Sequence, residues 1–371
     1  MAYFVYLLRC EGGELYAGIT TNLERRFEEH ASGGPKGAKY TRTHPPLRFE
    51  ATWEMPDRAS ASALEFRLKR LSHTRKEAIV QDPTQAHDLV EESFGKKSRA
   101  DKSEGLPPRL RLHVLASGSK GNCSLVEDIE TGSLTMVDCG ITKKAFLERC
   151  ANCKIDPTRV EAILITHEHS DHTKGLGVVT RGLAKLGASP TLYVSEAVHR
   201  ASSPIRSIED ALDLRHFASG DDLRIGNVAV HAFPTLHDAA ESFGFRFACD
   251  SDVVGFMTDT GIVTGEALES LQACRLLAIE ANHDRKMLAN GPYPYYLKQR
   301  VGGDHGHLSN DQSSDLLESL LCNELEQVVA MHVSQNNNTY RLPRESLAQA
   351  LEQHDHPAEA FVAYQDKAIS L

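Results

Sequence analysis

The chain has no apolar run approaching the roughly 20 residues that a membrane-spanning helix needs, so a helical membrane protein is not expected. Its opening residues, Met1 to Cys10, offer too short an apolar run for a signal peptide, and no basic flank or cleavage site. A cysteine framework is also missing. Eight cysteines lie scattered through 371 residues, and Cys150 and Cys153 form one C-x-x-C with no second pair beside it. That spacing predicts reduced thiols in a cytoplasmic protein, not a disulfide scaffold or a four-cysteine zinc site. Bulk positive charge is absent too. The formal net charge is -10, divided as +2 over residues 1–83 and -12 over residues 84–371. The second span is therefore not expected to bind polyanions by bulk charge. Local binding stays open, because a bound metal ion supplies positive charge where its carboxylate ligands are negative. Neither an internal repeat nor a long low-complexity tract occurs.

What is present fits two domains, as the length alone leads one to expect. The 41% apolar and 25% charged content is ordinary for a globular chain. A break falls where Lys96 to Gly105 shows no apolar periodicity and Pro107 and Pro108 close the stretch. This predicts a first domain over 1–82, a flexible linker over 83–108 and a second domain over 109–371. In the first, strands are expected over 4–9, 15–19 and 47–53, with helices over 22–30, 59–71 and from 75 towards 80. That is a small α+β unit. In the second, strands are expected over 110–115, 124–126, 134–138, 162–166, 191–194, 227–233, 243–248, 253–258, 276–279 and 328–331. Helices near 143–150, 265–273, 310–321 and 344–353 complete an α/β unit of two sheets between helices.

The most informative stretch is Ala162 to His172, an apolar strand that ends in His167, His169, Asp171 and His172. Three imidazoles and a carboxylate so close together are costly to bury unless a cation binds them. Residues two apart in an extended segment share a face, so His167 and His169 reach one divalent metal together. Asp171 and His172, in the turn that follows, aim at a second. The bland alternative is a solvated polar loop, and the apolar prelude argues against it. His237, Asp259 and His332 each follow an apolar run as well. Donors delivered from strand ends onto one edge make a preorganised site.

The H-x-H-x-D-H pattern of His167 to His172, with the three later donors, resembles the metallo-β-lactamase fold superfamily. The resemblance implies a four-layer αββα sandwich with a dinuclear site at its edge. By position it implies His167, His169 and His237 on one metal, Asp171, His172 and His332 on the other, and Asp259 bridging. The two metals, Zn or Mn, would hold a hydroxide between them as the nucleophile, with Asp171 counted in the catalytic set. Ser117 to Cys123, Val137 to Gly140, Glu280 to Asp284 and Gly306 to Asn310 look like the YycJ/WalJ group, regarded as a DNA exonuclease group related to RNase Z. This likeness spans about 109–371. It implies that His307 protonates the leaving oxygen or contacts phosphate. Asp138 is expected to orient a ligand histidine, while His283 and Asp284 either act on substrate or only shape the pocket. Ser117 to Gly121 reads S-x-S-x-G, which is not the serine nucleophile elbow. The RNase Z exosite arm and the β-CASP insertion have no obvious counterpart.

The first domain carries a different pattern. Tyr6 and Tyr16 sit on adjacent predicted strands, in Val5-Tyr6-Leu7 and Tyr16-Ala17-Gly18. Asn22 caps a helix in which Arg26 and His30 share a face. Tyr40 and Glu65 follow. This order resembles the small stand-alone bacterial type of GIY-YIG nuclease domain over about 1–80, although both signature triplets depart from the family name. The resemblance implies that Tyr6 and Tyr16 pack around an attacking water, with Tyr16 as the general base. Arg26 would stabilise phosphate charge, His30 and Tyr40 would contact the scissile phosphate or relay a proton, and Glu65 would hold one Mg or Mn ion. Arg25, Lys36, Lys39 and Arg42 form a candidate phosphate-contacting patch.

Together these resemblances predict a metal-dependent phosphodiesterase acting on DNA, with RNA as the second candidate. A 5′-directed exonuclease is expected, joined to a GIY-YIG endonuclease or DNA-structure-binding domain, in DNA repair. The alternative is a hydrolase of a small ester, thioester or lactam, with the first domain as a non-catalytic nucleic-acid-binding module.

Overall fold

The computed structural model describes residues 3–32, 45–55, 61, 64–65, 67–69, 73–81 and 107–371. Lys36, Lys39, Tyr40 and Arg42, with most of the expected linker, lie outside the described residues. The chain divides into two compact units, Met1–Leu106 and Pro107–Leu371. Among the described residues no helix is long and apolar enough to cross a membrane.

The first unit is built on three antiparallel strands, β1 (Tyr3–Cys10), β2 (Leu15–Thr20) and β3 (Pro46–Met55), in the order β2-β1-β3. Helix α1 (Leu23–Ala31) follows β2, and α2 (His73–Gln81) follows a helical stretch that includes residues 64–65 and 67–69. Asn22 starts α1 as expected: its side chain accepts from the Arg25 N–H. Val5 and Leu7 of β1 pack with Ala51 and Met55 of β3 and with Leu64, Leu68 and Ile79 of the helices.

The second unit holds two seven-stranded sheets. The first has the order β17-β4-β5-β6-β7-β8-β9. It comprises β4 (Leu110–Ala116), β5 (Cys123–Asp128), β6 (Ser133–Val137), β7 (Val160–Leu164), β8 (Thr191–Val194), β9 (Leu214–His216) and β17 (Ile369–Ser370). The other runs β10 to β16 in sequence order. Its strands are β10 (Asp222–Ile225), β11 (Val228–Pro234), β12 (Phe243–Cys249), β13 (Asp252–Met257), β14 (Leu276–Glu280), β15 (Gln327–Met331) and β16 (Glu359–Val362). In both sheets hairpin-type antiparallel strands give way to parallel ones, at β6–β7 and at β13–β14.

Parallel neighbours need crossovers, and here these are helices. Helices α3 (Lys143–Asn152), α4 (Ser170–Thr173), α5 (Leu176–Lys185), α6 (Glu196–Ala201) and α7 (Ser203–Arg206) serve the first sheet. Helices α8 (Gly265–Ser270), α9 (Arg285–Asn290), α10 (Tyr295–Val301), α11 (Asn310–Leu320) and α12 (Arg341–Gln353) serve the second. The layering follows from three cores. Leu110, Leu112 and Val114 meet Val230, Phe245 and Phe247 between the sheets. Phe146, Val179 and Leu183 cover the outside of one sheet, and Leu317, Leu347 and Leu351 the outside of the other. Helix, sheet, sheet, helix is the four-layer αββα sandwich expected from the sequence.

Candidate metal centre and active site

The donors converge where strands end. β7 stops at Leu164, two residues before its expected limit. The physical reason is local: the Thr166 N–H donates to the Asp138 carboxylate at 2.9 Å instead of to a neighbouring strand. His167 and His169 follow in extended backbone, and His169 caps the single turn of α4, which carries Asp171 and His172. The expected turn is thus one helical turn. His237 lies beyond β11, Asp259 beyond β13 and His332 beyond β15, all from the other sheet. Asp138, Asp259 and His332 have left-handed backbone, with φ of 59°, 56° and 52°. Few non-glycine residues adopt it, and such strain concentrates at functional sites.

Ligand atoms of His167, His169 and His237 lie within 4.8 Å of one another, as do those of Asp171, His172 and His332. Asp259 joins His167 and His172 in a third such group. Every predicted metal donor of this unit is therefore brought to one place. Their ring and carboxyl atoms also behave as donors that expect a cation. His167 Nε2, Asp259 Oδ2 and His332 Nε2 are buried without a hydrogen-bond partner. Orphaned polar atoms are costly inside a protein, and an ion is one remedy. Imidazoles and carboxylates in this number suit divalent metal ions.

The second layer fixes the rings. The Nδ1–H of His172 donates to Asp138 at 2.7 Å, which turns Nε2 towards the centre. The Nδ1–H of His237 donates to the Gly306 carbonyl at 3.0 Å, with the same result. Glu280, the last residue of β14, is fully buried. Its Oε1 accepts from Nδ1 of His307 at 2.8 Å and of His332 at 3.2 Å. Its Oε2 accepts from the backbone N–H groups of Thr260 and Leu308, each at 3.1 Å. Burial raises the Glu280 pKa, but His307 and His332 outweigh it and bring it to about 2. Burial opposes charge on His172, and Asp138, Asp259 and Asp171 outweigh it, raising its pKa well above the ordinary value. His167 moves the other way: burial, then His172, push it well below. The centre is thus a negative pocket for cations, lined on one side by neutral imidazole.

His307 lines the cleft between the two donor groups, its ring 5.0 Å from that of His237 and 5.1 Å from that of His332. The cleft, about 220 Å³, is lined by His169, Asp171, Asp259, His307 and His332 with Ser119, Tyr293, Leu297 and Arg300. Sequence reasoning gave Glu280 no role of its own. Its signal was an acid closing an all-apolar strand run, a position where an unpaired carboxylate is not tolerated. Asn122 was also missed as a donor: its Nδ2 lies 2.9 Å from His172 Nε2. His283 is buried beside the pocket wall and Asp284 caps α9.

The first unit gathers its own cluster. Tyr6 Oη lies 2.8 Å from His30 Nε2 and accepts from Arg26 Nε at 3.4 Å. The Tyr16 and His30 rings stand 5.5 Å apart. Burial, partly offset by Arg26, pushes the Tyr6 pKa up to about 12. Burial and then Arg26 push that of His30 down to about 4. Gly18 pairs with Tyr6 across the strands, and a Cβ there would sit 2.4 Å from Tyr6 Oη, so only glycine admits the hydroxyl. Glu65 pairs with Lys69 at 3.0 Å and bears electrostatically on Tyr6. Among the described residues of this unit no three ligand atoms converge. Magnesium, which keeps several waters, needs only one or two carboxylates.

Comparison with known proteins places this geometry in context. The Beta-lactamase superfamily domain model matches residues 135–333, and the GIY-YIG catalytic domain model matches residues 2–78. The exodeoxyribonuclease YycJ of Bacillus anthracis is 32% identical over 244 residues, which are 66% of this chain and 90% of that protein. A UPF0213 protein of Halalkalibacterium halodurans is 46% identical over 80 residues, 22% of this chain and 83% of that protein. The fold of PqqB from Methylobacterium extorquens, solved with Zn2+ bound, superposes with a TM-score of 0.54 at 15% identity, covering 70% of this chain and 100% of that one. The chain belongs to the beta-lactamase superfamily, in the group of the YycJ exodeoxyribonuclease, and bears a GIY-YIG domain at its N-terminal side.

Proposed function

We propose that the protein is a metal-dependent nuclease. Its second unit hydrolyses DNA phosphodiesters from a 5′ end, and its first unit nicks DNA or recognises a DNA structure. The observation that carries this is that His167 Nε2, Asp259 Oδ2 and His332 Nε2 are buried without a hydrogen-bond partner at an open cleft that Asp259 and His332 line. The YycJ relative, covered over 90% of its length, is named an exodeoxyribonuclease, which points the same way. In this reading His167, His169 and His237 would hold one Zn or Mn ion and Asp171, His172 and His332 a second, with Asp259 available to both. When bound, the ions supply positive charge that polarises a phosphodiester oxygen and acidifies water. Glu280 accepts a hydrogen bond from the Nδ1–H of His307, so the doubly protonated ring presents its second proton on Nε2, gives it to the leaving oxygen and returns to neutral imidazole. In the first unit the neutral His30 and Tyr6 form a proton path, Arg26 meets phosphate charge, Tyr16 takes the proton of water as its own phenolic proton passes to solvent, and Glu65 would hold one Mg or Mn ion. Repair of damaged DNA in the cytoplasm is the setting that two DNA-cutting units in one chain favour.

The test uses 5′- and 3′-labelled single-stranded and duplex DNA with Mn2+, and RNA in parallel. Wild type, His169→Ala and Glu65→Ala are compared. Loss of stepwise 5′ release in His169→Ala supports the reading. Cutting that survives His169→Ala and vanishes in Glu65→Ala moves the chemistry to the first unit. Cleavage of a small thioester with no nucleic acid cut overturns it.

A further inference from the structure

The segment from Arg285 to Asp304 forms one wall of the cleft and the lip beyond it. Three features set it apart. It carries four basic residues, Arg285, Lys286, Lys298 and Arg300, against one acid, within a span whose net charge is strongly negative. It holds the two most exposed large apolar side chains among the described residues, Tyr295 at 76% and Tyr296 at 73%. And it is continuous with the metal centre, because Tyr293, Leu297, Arg300 and Val301 line the same cleft as His169 and His307. On helix α10 the cleft-lining positions Leu297, Arg300 and Val301 follow the three- and four-residue spacing of a single face, and Tyr293 joins them from just before the helix. Tyr296, four residues before Arg300, therefore stands at the outer shoulder of the pocket-lining face, and Tyr295 is turned a further residue outward, away from the cleft.

Two adjacent exposed tyrosine rings offer apolar faces that gain when a partner removes them from water. The cleft itself holds about 220 Å³, below the roughly 300–1,000 Å³ of sites that enclose a drug-sized ligand. It admits a phosphate and part of its sugars, not a base pair. Bases on either side of that phosphate must lie outside, over the lip. An aromatic lip with basic flanks is the physical form of a single-strand platform: rings stack on bases and cations follow the phosphates. The ledge is held in place. Arg300 pairs with Asp238, Lys298 Nζ donates to the Ala289 carbonyl at 2.7 Å, and Asn336 donates to Tyr293 Oη at 3.1 Å.

We infer that the α10 ledge takes unpaired DNA bases, stacking the base nearest the cleft on Tyr296 and a farther one on Tyr295 while a phosphate between bases enters the cleft. The inference rests on the nuclease reading of the second unit, and it adds that the strand end is taken as single strand. A duplex end must open by a base or more before it is cut.

The experiment uses the full-length, metal-loaded protein. The probe is a short single-stranded oligodeoxynucleotide with 2-aminopurine near its 5′ end and phosphorothioate linkages to slow cleavage. Wild type, Tyr295→Ala/Tyr296→Ala and Tyr295→Phe/Tyr296→Phe are titrated, and unmodified DNA is used for rates. Stacking predicts a change in 2-aminopurine fluorescence on binding to wild type and the Phe pair. In the Ala pair that signal is lost, and affinity falls about tenfold to a hundredfold, with KM rising more than kcat falls. Wild-type behaviour of the Ala pair overturns the ledge while leaving the nuclease reading intact. Equal loss in the Phe and Ala pairs also overturns it, since rings alone should suffice. Hydrolysis of bis(p-nitrophenyl) phosphate by wild type with no DNA bound or cut overturns both readings.

Discussion

At Glu280 four donors meet one carboxylate, two imidazole N–H groups on one oxygen and two backbone N–H groups on the other. Glu280→Gln keeps the shape and turns one oxygen into an NH2 group, so two donors then face a donor. Leaving buried donors unpaired costs roughly 1–3 kcal/mol, and loss of such a supporting contact typically lowers metal affinity or activity 10–100-fold. Metal content after dialysis and the rate of DNA cleavage measure this; wild-type values for both would remove Glu280 from the centre. His30 offers a pH prediction in the first unit. Its folded pKa is about 4, below the ordinary 6.5. Above pH 6.5 the ring is neutral folded or unfolded, and no stability is at stake. As pH falls through 6.5 towards 4 the unfolded chain takes the proton first, so the first unit loses roughly 1–3 kcal/mol. Trp53, the single tryptophan, lies on β3 and reports this unit alone. Denaturant midpoints read from its fluorescence at pH 7 and pH 4.5 should draw apart in wild type and much less in His30→Gln.

The strand ends act as levers on the site. A Cβ on Gly140 would lie 1.6 Å from the Asp171 carbonyl oxygen, an impossible contact with backbone on both sides. Gly140→Ala must therefore push α4, with Asp171 and His172, away from the donors of the other sheet. Overpacking of this kind costs about 1–3 kcal/mol. The expected outcome is a second unit that still folds, seen by circular dichroism, and that retains about half the metal or less; full retention would show that α4 yields without cost. The same elements show why the ligand set is legible in the sequence. His167, His237, Asp259 and His332 each interrupt an apolar run that reads as a strand, and a buried polar group at a strand end demands a reason. Glu280 hides inside the polar motif Glu280 to Asp284, because only the fold brings the four N–H groups that mark its role. Strands β9 and β17 hide because three and two residues cannot display alternation. Helix α5 is diluted by Gly177 and Gly182, and α10 opens on two tyrosines after a proline, a composition closer to a strand than a helix. The ledge was thus invisible until the helix placed its stripe on the cleft.

For the whole molecule, the two units have different relations to metal. The second surrounds buried, unpartnered donors from both of its sheets, so ion binding and folding are linked. Among the described residues of the first, no three ligand atoms converge. Dialysis against EDTA should lower the thermal transition of the second unit and leave the Trp53 transition where it is. An ion at 100–1,000 times its dissociation constant contributes about 3–4 kcal/mol, so the shift is several degrees. Equal displacement of both transitions would mean that the units do not melt independently.

β17 lies beside β4, with Ile369 opposite Val114 and Ser370 opposite His113. That pairing joins residues about 250 positions apart and puts the last strand at the edge of a sheet begun by the first. During synthesis on a ribosome, β1 to β3 have all their neighbours once the first 81 residues are out. The second sandwich must wait with β4 unpaired on one side, and no complete set of ligands exists until His332 has emerged. Nascent chains are thus expected to carry a finished first unit while the second is still being made, and the catalytic body condenses only once β17 has emerged to pair with β4.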